Sequence, residues 1–392
     1  MTSRTSRLSD FFDSYTKDLT AEDLQRLFTR DARDAYRFFT RGVDAEALAR
    51  MPRHRRFATR VRLLFMAFSM KLSPARRVVF GAALLLAGVG LVNLFSGFGI
   101  IEVGRLPFMS IGVPGPVFYR GTWSLLIAFG LMNLLVLLEV ADRLSLKNDL
   151  EIARDIQQAM LPSGLYTGAG VETVGMSRPA NTVGGDFYDI LPLADGRLVV
   201  AVGDVAGKGS PAALLMALLL AILRTLVDEQ LEPADLTKRL NVQVCRHAPG
   251  SRFITLFYAV YEPLTGLLTY VSAGHMPPLV IRRDGTCERL SDGGIALGMF
   301  EQSTYTTGRV FLEVDDLVAV YSDGITEAEN PHGRPFDEIG LETALRAHAH
   351  DTLSAVGAGV VRAVERHTDE KRFADDLTIL LLRRTTLTPP GV

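Results

Sequence analysis

Four short acidic clusters, spread between residues 184 and 376, are the part of this sequence that could do chemistry. They are Gly184-Gly185-Asp186, Gly203-Asp204-Val205, Ser322-Asp323-Gly324 and Ala374-Asp375-Asp376. Each carboxylate stands beside a small residue where a hydrophobic run begins or ends, and strands turn at such places. Carboxylate and carbonyl oxygens are the ligands that Mg²⁺ and Mn²⁺ prefer. The clusters therefore predict a site for hard divalent cations.

Composition restricts the class of protein. A chain of 392 residues exceeds what one hydrophobic core usually organises, so we expect at least two folding units. The formal net charge is -2 and the basic residues fall in patches, which does not indicate a nucleic-acid partner. The two cysteines, Cys245 and Cys287, lack the spacing of a metal site. They are interpreted as reduced cytosolic residues.

Two apolar stretches predict a transmembrane hairpin. The first, at 78–101, contains no charged residue, and the second, at 121–138, reaches 141 if Glu139 extends toward the membrane surface. Each is long enough to cross a bilayer core, which needs about 20 apolar residues. Two buried helices of a soluble protein are the alternative interpretation.

The charges that flank these stretches predict their orientation. The connecting loop carries only Glu102, Arg105 and Arg120, whereas the segment before the first span is strongly basic. Its basic residues are Arg53, Arg55, Arg56, Arg60, Arg62, Lys71, Arg76 and Arg77. By the positive-inside rule, both termini face the cytoplasm from the cell inner membrane. The basic segment lies near anionic lipid head groups or forms a solvated face.

The patterns divide the chain into five regions. They are a helical cytoplasmic region at 1–75, a transmembrane hairpin at 76–141 with spans at about 78–101 and 121–141, a linker helix at 142–162, an α+β domain at 163–385 and a tail at 386–392. Apolar residues recur at three- and four-residue steps in the linker until Pro162 ends the helix. We interpret the linker as a short parallel dimer stalk or as one amphipathic helix packed on the following domain.

Short β-rich runs and helical segments follow each other after residue 170. The predicted strands are 197–205, 253–261, 267–272, 279–283, 317–322 and 377–382. The predicted helices are 211–227, with Ser210 as its cap, 236–245 and 353–367. Several strands are apolar on both faces, which predicts an α+β domain with central sheets and outer helices.

Five motifs occur in order in this region. They are NTVGGDFYD at 181–189, GDVAGKGSPAA at 203–213, AGHMPP at 273–278, YSDGITEA at 321–328 and FADDLTI at 373–379. Together they resemble the motifs of bacterial metal-dependent serine/threonine phosphatases, in the SpoIIE and RsbU branch of the type 2C (PPM) superfamily, over about 152–382. The resemblance implies an αββα sandwich phosphatase domain with two Mn²⁺ or Mg²⁺ ions at one end of the paired sheets.

The resemblance also implies roles for single residues. Asp204 matches the aspartate that bridges both ions, and Val205 matches the residue beside it that offers a backbone carbonyl. Asp186 matches the acid that holds a metal-bound water, so Asp186 and Asp204 are the expected catalytic residues. Asp323 and Asp375 match further metal-binding aspartates.

Asp376, which stands where relatives carry Asp or Asn, completes the predicted metal-binding set. Two cations about 4 Å apart can bind phosphate and lower the pKa of a water molecule, so the reaction needs no protein nucleophile. No motif acid is missing, which indicates an active enzyme.

Three other residues keep two interpretations each. Asp189 is a solvent-exposed acid or supports the metal site, and His275 orients substrate or belongs to the hydrogen-bonded scaffold. Lys208 holds phosphate near the start of a helix or is simply exposed. The segment 203–209 fails the P-loop pattern because the spacing of its glycines and the residue after Lys208 are wrong.

These features predict a membrane-anchored phosphoserine/phosphothreonine protein phosphatase. The resemblance implies a phosphorylated cytoplasmic regulatory protein, of the anti-anti-sigma type used in partner switching, as substrate. It also implies control through the linker at 142–162, which offers a homodimer contact. A catalytically silent membrane-tethered scaffold and a small-molecule phosphatase are the alternatives.

Overall fold

A computed structural model describes most of the chain beyond its first seventy residues. The described residues are 52, 69, 72–96, 98–106, 109–116, 121–168, 170–248, 252–369, 373 and 375–387. Most of the predicted helical region at 1–75 and the end of the predicted tail at 386–392 lie outside them. The chain divides into two compact units, Met1–Leu144 and Ser145–Val392.

The first unit contains an apolar helix, a β-hairpin and the start of a second helix. The elements are α1 (Pro74–Ser96), β1 (Phe98–Leu106), β2 (Met109–Pro116) and α2 (Thr122–Met160). The predicted end of the first span, at residue 101, is wrong because α1 ends at Ser96 and residues 98–101 belong to β1. Glycine and β-branched residues favour an extended chain here, and an uncharged apolar run does not distinguish the end of a helix from the start of a strand. α2 includes the predicted second span and nearly all of the predicted linker.

Three described helices are long and apolar enough to cross a membrane. They are Pro74–Phe95, Thr122–Met160 and Ser210–Val227. The first two expose large apolar side chains, including Leu85, Trp123 and Phe129, of which Trp123 is 76% exposed. Such a surface is unfavourable in water. The third helix buries one apolar face, as described below for the second unit.

Within the first unit, the two helices approach most tightly at a pair of glycines. A Cβ atom added to Gly121 would lie 2.1 Å from the carbonyl oxygen of Gly90 and 2.8 Å from the backbone nitrogen of Leu94. Arg76 forms ion pairs of 2.8 Å with Asp142 and 3.4 Å with Glu139. The contact at Gly121 has no space for a side chain.

We expect Gly121→Ala to destabilise the helix pair by about 1–3 kcal/mol, because the added methyl group must push the helices apart. Gly130→Ala is the matched control, since nothing lies within 4 Å of a Cβ atom at Gly130. The thermal unfolding midpoint of the full chain in detergent measures both effects. Equal midpoints for the two variants would contradict the close contact.

Two six-stranded sheets form the centre of the second unit. The strands are β3 (Leu165–Gly168), β4 (Val171–Arg178), β5 (Phe187–Pro192), β6 (Leu198–Val205), β7 (Ile254–Glu262), β8 (Leu267–Ala273), β9 (Leu279–Ile281), β10 (Cys287–Arg289), β11 (Gly293–Gly294), β12 (Gly308–Phe311), β13 (Leu317–Tyr321) and β14 (Leu377–Arg384). The first sheet has the order β10-β9-β13-β14-β4-β3. The second has the order β11-β8-β7-β6-β5, with β12 paired to β8. Most neighbouring strands are antiparallel, and β11 is parallel to β8.

Helices cover the outer faces of both sheets. They are α3 (Ser210–Val227), α4 (Pro233–His247), the short α5 (Asp323–Thr326), α6 (Asp337–Ala347) and α7 (Leu353–Thr368). One buried cluster joins α3 and α4 to the second sheet, another joins α6 and α7 to the first, and a third lies between the sheets. The predicted αββα sandwich is therefore confirmed. The predicted cap of α3 is wrong by one residue, because Gly209, at φ +78°, is the cap and Ser210 is already helical.

Strand pairing brings the acidic clusters to one edge of the sandwich. Phe187, at the start of β5, pairs with Gly203 near the end of β6. Tyr321, at the end of β13, pairs with Ile379 near the start of β14. Because antiparallel neighbours begin and end at the same edge, the residues just before β5 and β14 meet those at the ends of β6 and β13.

Candidate active site

Asp186 and Asp204 are neighbouring acids at this edge whose charges act on each other. Asp186 is 3% exposed, and its Oδ2 atom is buried without a hydrogen-bond partner in the described part of the chain. Burial and the charge of Asp204 raise the pKa of Asp186 well above its ordinary value. Burial, followed by the charge of Asp323, raises the pKa of Asp204 to about 6. Two neighbouring carboxyls with raised pKa values mark a concentration of negative charge.

A glycine lets the two acidic segments approach each other. A Cβ atom added to Gly185 would lie 2.9 Å from the carbonyl oxygen of Val205 and 3.0 Å from Oδ1 of Asp204. The backbone beside Asp186 therefore contacts the two oxygen atoms that the sequence assigns to metal binding. A larger residue at Gly185 would displace them.

The Asp376 side chain hydrogen-bonds the backbone of the loop that leads to Asp186. Its Oδ2 atom accepts a 2.7 Å hydrogen bond from the backbone N–H of Gly185, and its Oδ1 atom accepts one of 2.8 Å from Ala180. Asp376 is 9% exposed. Both carboxylate oxygens thus hold the loop before β5, although each keeps a further lone pair for a cation.

The outer acids are more accessible. Burial, followed by the charges of Glu327 and Asp375, raises the pKa of Asp323. Asp375 is half-exposed and accepts a 2.9 Å hydrogen bond from the Lys208 ammonium. The Lys208 side chain therefore lies at the acidic edge and is largely exposed, and its contact with phosphate stays a prediction. A surface pair of this kind contributes about 0–1 kcal/mol, so a cation could displace Lys208 from Asp375.

The arrangement fits a hard divalent cation. The donors are carboxylate and carbonyl oxygens, Oδ2 of Asp186 is buried without a partner, and the mutual repulsion of the acids would be relieved by positive charge. Within the described ranges, no three Asp, Glu, His or Cys side chains already enclose one position. Asp375 now accepts hydrogen bonds from Lys208 and from the backbone N–H of Asp376, and turning its carboxylate toward a cation would replace the contact with Lys208.

The end of α2 contacts the same edge through Gln157, which is 8% exposed. Its Nε2 atom donates to the carbonyl oxygen of Gly184 at 2.8 Å, and its Oε1 atom accepts from the N–H of Gly184 at 3.1 Å. Nε2 also lies 3.1 Å from Sδ of Met216 on α3. One buried amide thus joins α2, α3 and the backbone beside Asp186.

Asp189 belongs to a different cluster. Its carboxylate is 1% exposed and accepts hydrogen bonds of 2.7 and 3.1 Å from the guanidinium of Arg224. Nη2 of Arg224 also donates to the carbonyl oxygen of Met160, the last residue of α2. Asp189 therefore fixes the end of α2 rather than supporting the metal site, and the interpretation as a solvent-exposed acid is wrong.

His275 connects to the acidic edge as scaffold. Its Nδ1 atom lies 3.1 Å from Oγ1 of Thr255, the residue that pairs with Asp204 across β6 and β7. Burial lowers the pKa of His275 to about 4, an effect that the backbone carbonyl of Tyr321 partly opposes. The imidazole is therefore neutral near pH 7 and lies between the two sheets.

Sequence reasoning missed two residues at this edge, Gln157 and Arg252. Gln157 lies in the predicted linker helix at 142–162, but nothing in a helical pattern indicates which polar residue will turn inward. Arg252 directly precedes the predicted strand 253–261, and a basic residue at the start of a strand in the predicted phosphatase domain was the available signal.

Known sequences and structures resemble the second unit. Residues 194–385 match the family described as Stage II sporulation protein E (SpoIIE). Phosphoserine phosphatase RsbU of Bacillus subtilis is 29% identical over 243 residues, which cover 61% of this chain and 71% of RsbU.

Two solved structures share the fold. The RsbU and RsbW domains of a Mycobacterium tuberculosis protein superpose with a TM-score of 0.52 at 26% identity, over 57% of this chain and 62% of that chain. The SiaA-PP2C domain of Pseudomonas aeruginosa gives a TM-score of 0.54 at 22% identity, over 62% of this chain and 98% of that one. The match thus spans less than two thirds of the mycobacterial chain.

Proposed function

Because this chain carries a SpoIIE/RsbU-type serine/threonine phosphatase domain of the PPM superfamily, we propose that it is a membrane-anchored, metal-dependent protein phosphatase. Its reaction is the hydrolysis of a phosphoserine or phosphothreonine ester on a cytoplasmic regulatory protein. The observation that carries the proposal is the meeting of five aspartates at one edge of the sandwich, with Oδ2 of Asp186 buried and unpartnered there.

The metal-binding groups of the proposal are all oxygens. They are the carboxylates of Asp186, Asp204, Asp323, Asp375 and Asp376 and the backbone carbonyl of Val205. When bound, a pair of Mn²⁺ or Mg²⁺ ions would supply positive charge for the phosphate and lower the pKa of a water molecule.

The chain's own residues position the reactants. The close approach of Gly185 restricts the positions of the Asp204 carboxylate and the Val205 carbonyl oxygen. Asp376 fixes the loop that contains Gly185 by accepting hydrogen bonds from two backbone N–H groups. Asp186 would orient the attacking water through its carboxylate, whose Oδ2 atom is buried without another partner in the described part of the chain, and the leaving serine or threonine oxygen would take its proton from a water molecule.

A phosphorylated regulatory protein is the proposed substrate class. RsbU is named a phosphoserine phosphatase, and the mycobacterial relative combines an RsbU domain with an RsbW domain. The sequence motifs resemble enzymes that act on anti-anti-sigma-type factors. The same partner class is therefore proposed here.

Membrane attachment through α1 and α2 is also proposed. Both helices are long and apolar enough to span a bilayer and expose large apolar side chains. The basic residues before α1 favour an inner-membrane protein with both termini and the phosphatase domain in the cytoplasm.

The proposal includes control through the linker at 142–162. Gln157 hydrogen-bonds both backbone groups of Gly184, two residues before Asp186, so a rotation of α2 would move the acidic loop. The exposed Leu146, Ile152 and Ile156 offer an apolar stripe to a second copy of the chain. A homodimer formed there would set the position of Gln157.

The test is phosphate release by the full chain in detergent, with a phosphoserine protein, a phosphoserine peptide and p-nitrophenyl phosphate as substrates. Release that requires Mn²⁺ or Mg²⁺, stops with a chelator and is fastest for the phosphoprotein is the expected result. No release from any substrate, together with phosphoprotein binding, would support the scaffold instead. Equal release from all three substrates would support a small-molecule phosphatase.

A further inference from the structure

Arg252 lies against the loop that carries Asp204 and Val205. It comes two residues before β7, and the carbonyl oxygen of the next residue, Phe253, accepts a 2.9 Å hydrogen bond from the N–H of Ala206. A Cβ atom added to Gly207 would lie 3.0 Å from Nη1 and 3.6 Å from Cζ of Arg252. The guanidinium therefore covers the backbone just beyond the proposed metal-binding carbonyl.

This guanidinium has no partner within the described part of the chain. Its Nη1 atom is fully buried and makes no hydrogen bond. Two other partly buried arginines of this unit are paired with acids, Arg224 with Asp189 and Arg282 with Asp316 and Glu288. A buried donor on a permanently charged group is costly without an acceptor, so the missing acceptor is expected to come from a ligand.

The charge at this edge indicates what that ligand is. Lys208 is already engaged by Asp375, while Arg252 remains available beside the same loop. A phosphoryl group that enters this acidic edge meets strong repulsion, which bound cations and a guanidinium would offset. Arginine matches phosphate well because its planar fork donates two parallel hydrogen bonds.

We infer that Arg252 binds the phosphoryl group of the substrate and positions it over the acidic edge. This inference rests on the proposed phosphatase function and adds a residue to its substrate site. The phosphoryl oxygens accept hydrogen bonds from the guanidinium, including the donor that is buried beside Gly207.

The test measures binding of inorganic phosphate to the full chain in detergent, by calorimetry with Mg²⁺ present, and its inhibition constant against p-nitrophenyl phosphate. Arg252→Met, which keeps the length of the side chain without its charge, is expected to weaken both roughly 10- to 100-fold, as for loss of one charge-assisted hydrogen bond. Arg252→Lys is expected to recover part of the loss. Arg246→Met is the control, because Arg246 is exposed and pairs with Glu301, and it should change neither constant.

Three results would overturn the inference. One is an unchanged phosphate affinity in Arg252→Met. Another is a higher KM for the phosphoprotein with an unchanged affinity for inorganic phosphate, which would show that the guanidinium binds a carboxylate of the partner protein. The third is a lower thermal midpoint and weaker Mg²⁺ binding in both Arg252 variants with no change in phosphate affinity, which would make the residue structural. If the unaltered chain hydrolyses no ester, the proposed function fails, while calorimetry still decides whether Arg252 binds phosphate.

Discussion

Replacing Asp204 by asparagine is expected to lower metal-dependent phosphate release by the full chain more than about 1,000-fold. Asp204 lies at the centre of the acidic edge, where its charge acts on Asp186 and its carboxylate touches the loop at Gly185. In the proposed function, losing this charge would weaken cation binding and the orientation of water together, and several kcal/mol of transition-state stabilisation correspond to such a factor. Initial rates at saturating Mn²⁺ and phosphoprotein measure it.

The control is Asp228→Asn. Asp228 is an exposed acid that follows α3, and the same chemical change there should leave the rate within about twofold. Rates that fall equally in both variants, or not at all in Asp204→Asn, would contradict the assigned role of Asp204.

The same substitution has a predictable effect on the metal-free protein. Because folding raises the pKa of Asp204 to about 6, the folded chain holds a proton that the unfolded chain releases near pH 4. This carboxyl therefore costs stability as pH rises from about 4 to 6. We expect the unfolding free energy of Asp204→Asn, relative to the unaltered chain, to increase by on the order of 2 kcal/mol between about pH 4 and pH 7.

Denaturant unfolding with chelator present, followed by circular dichroism at both pH values, gives this difference. His275 acts with the opposite sign, because its lowered pKa makes it gain stability as pH rises from about 4 to 6.5. It is present in both proteins, so its contribution cancels. A difference that does not depend on pH would show that Asp204 titrates normally.

Replacing Gln157 by leucine is expected to lower turnover roughly 10- to 100-fold, the range seen when a group that orients a metal ligand is removed. Leucine fills a similar volume but leaves the N–H and carbonyl of Gly184 without partners in a buried position. Each unsatisfied group costs about 1–3 kcal/mol, which the loop can avoid only by moving. Rates and the Mn²⁺ concentration for half-maximal activity measure the effect.

Gln158→Leu is the matched control, since Gln158 is the next residue of α2 and is exposed. It should leave both quantities nearly unchanged. The turnover of Gln157→Glu is expected to lie between that of the unaltered chain and that of Gln157→Leu. A carboxylate accepts a hydrogen bond from the N–H of Gly184 but cannot donate one to its carbonyl oxygen. If Gln157→Leu and Gln158→Leu behave alike, α2 does not position the acidic loop.

Strand positions in the second unit were predictable because the central strands are apolar on both faces, and helix positions because their apolar residues recur at helical spacing. The predicted strand 377–382 and helix 353–367 correspond to β14 (Leu377–Arg384) and α7 (Leu353–Thr368). The end of the first apolar helix was not predictable, because an uncharged apolar run continues from α1 into β1 without a change of pattern.

The sequence alone predicted the chemistry of the site. Aspartates beside glycines at the ends of apolar runs predict oxygen ligands for a divalent cation, and the resemblance of the five motifs to type 2C phosphatases predicted the αββα fold. The predicted ligand type and fold depend on residue type and local spacing, which can be read directly from the sequence.

Only the tertiary structure decided which polar residues act together. Gln157, Arg224 and Arg252 are each distant in sequence from the groups that they contact or cover, at Gly184, Asp189 and Gly207. Such pairs form because the packing of α2, α3 and β7 on the sandwich brings the groups together and excludes water from them. Burial then sets the pKa values of Asp186 and Asp204, since desolvation depends on the surrounding fold and not on neighbours in sequence.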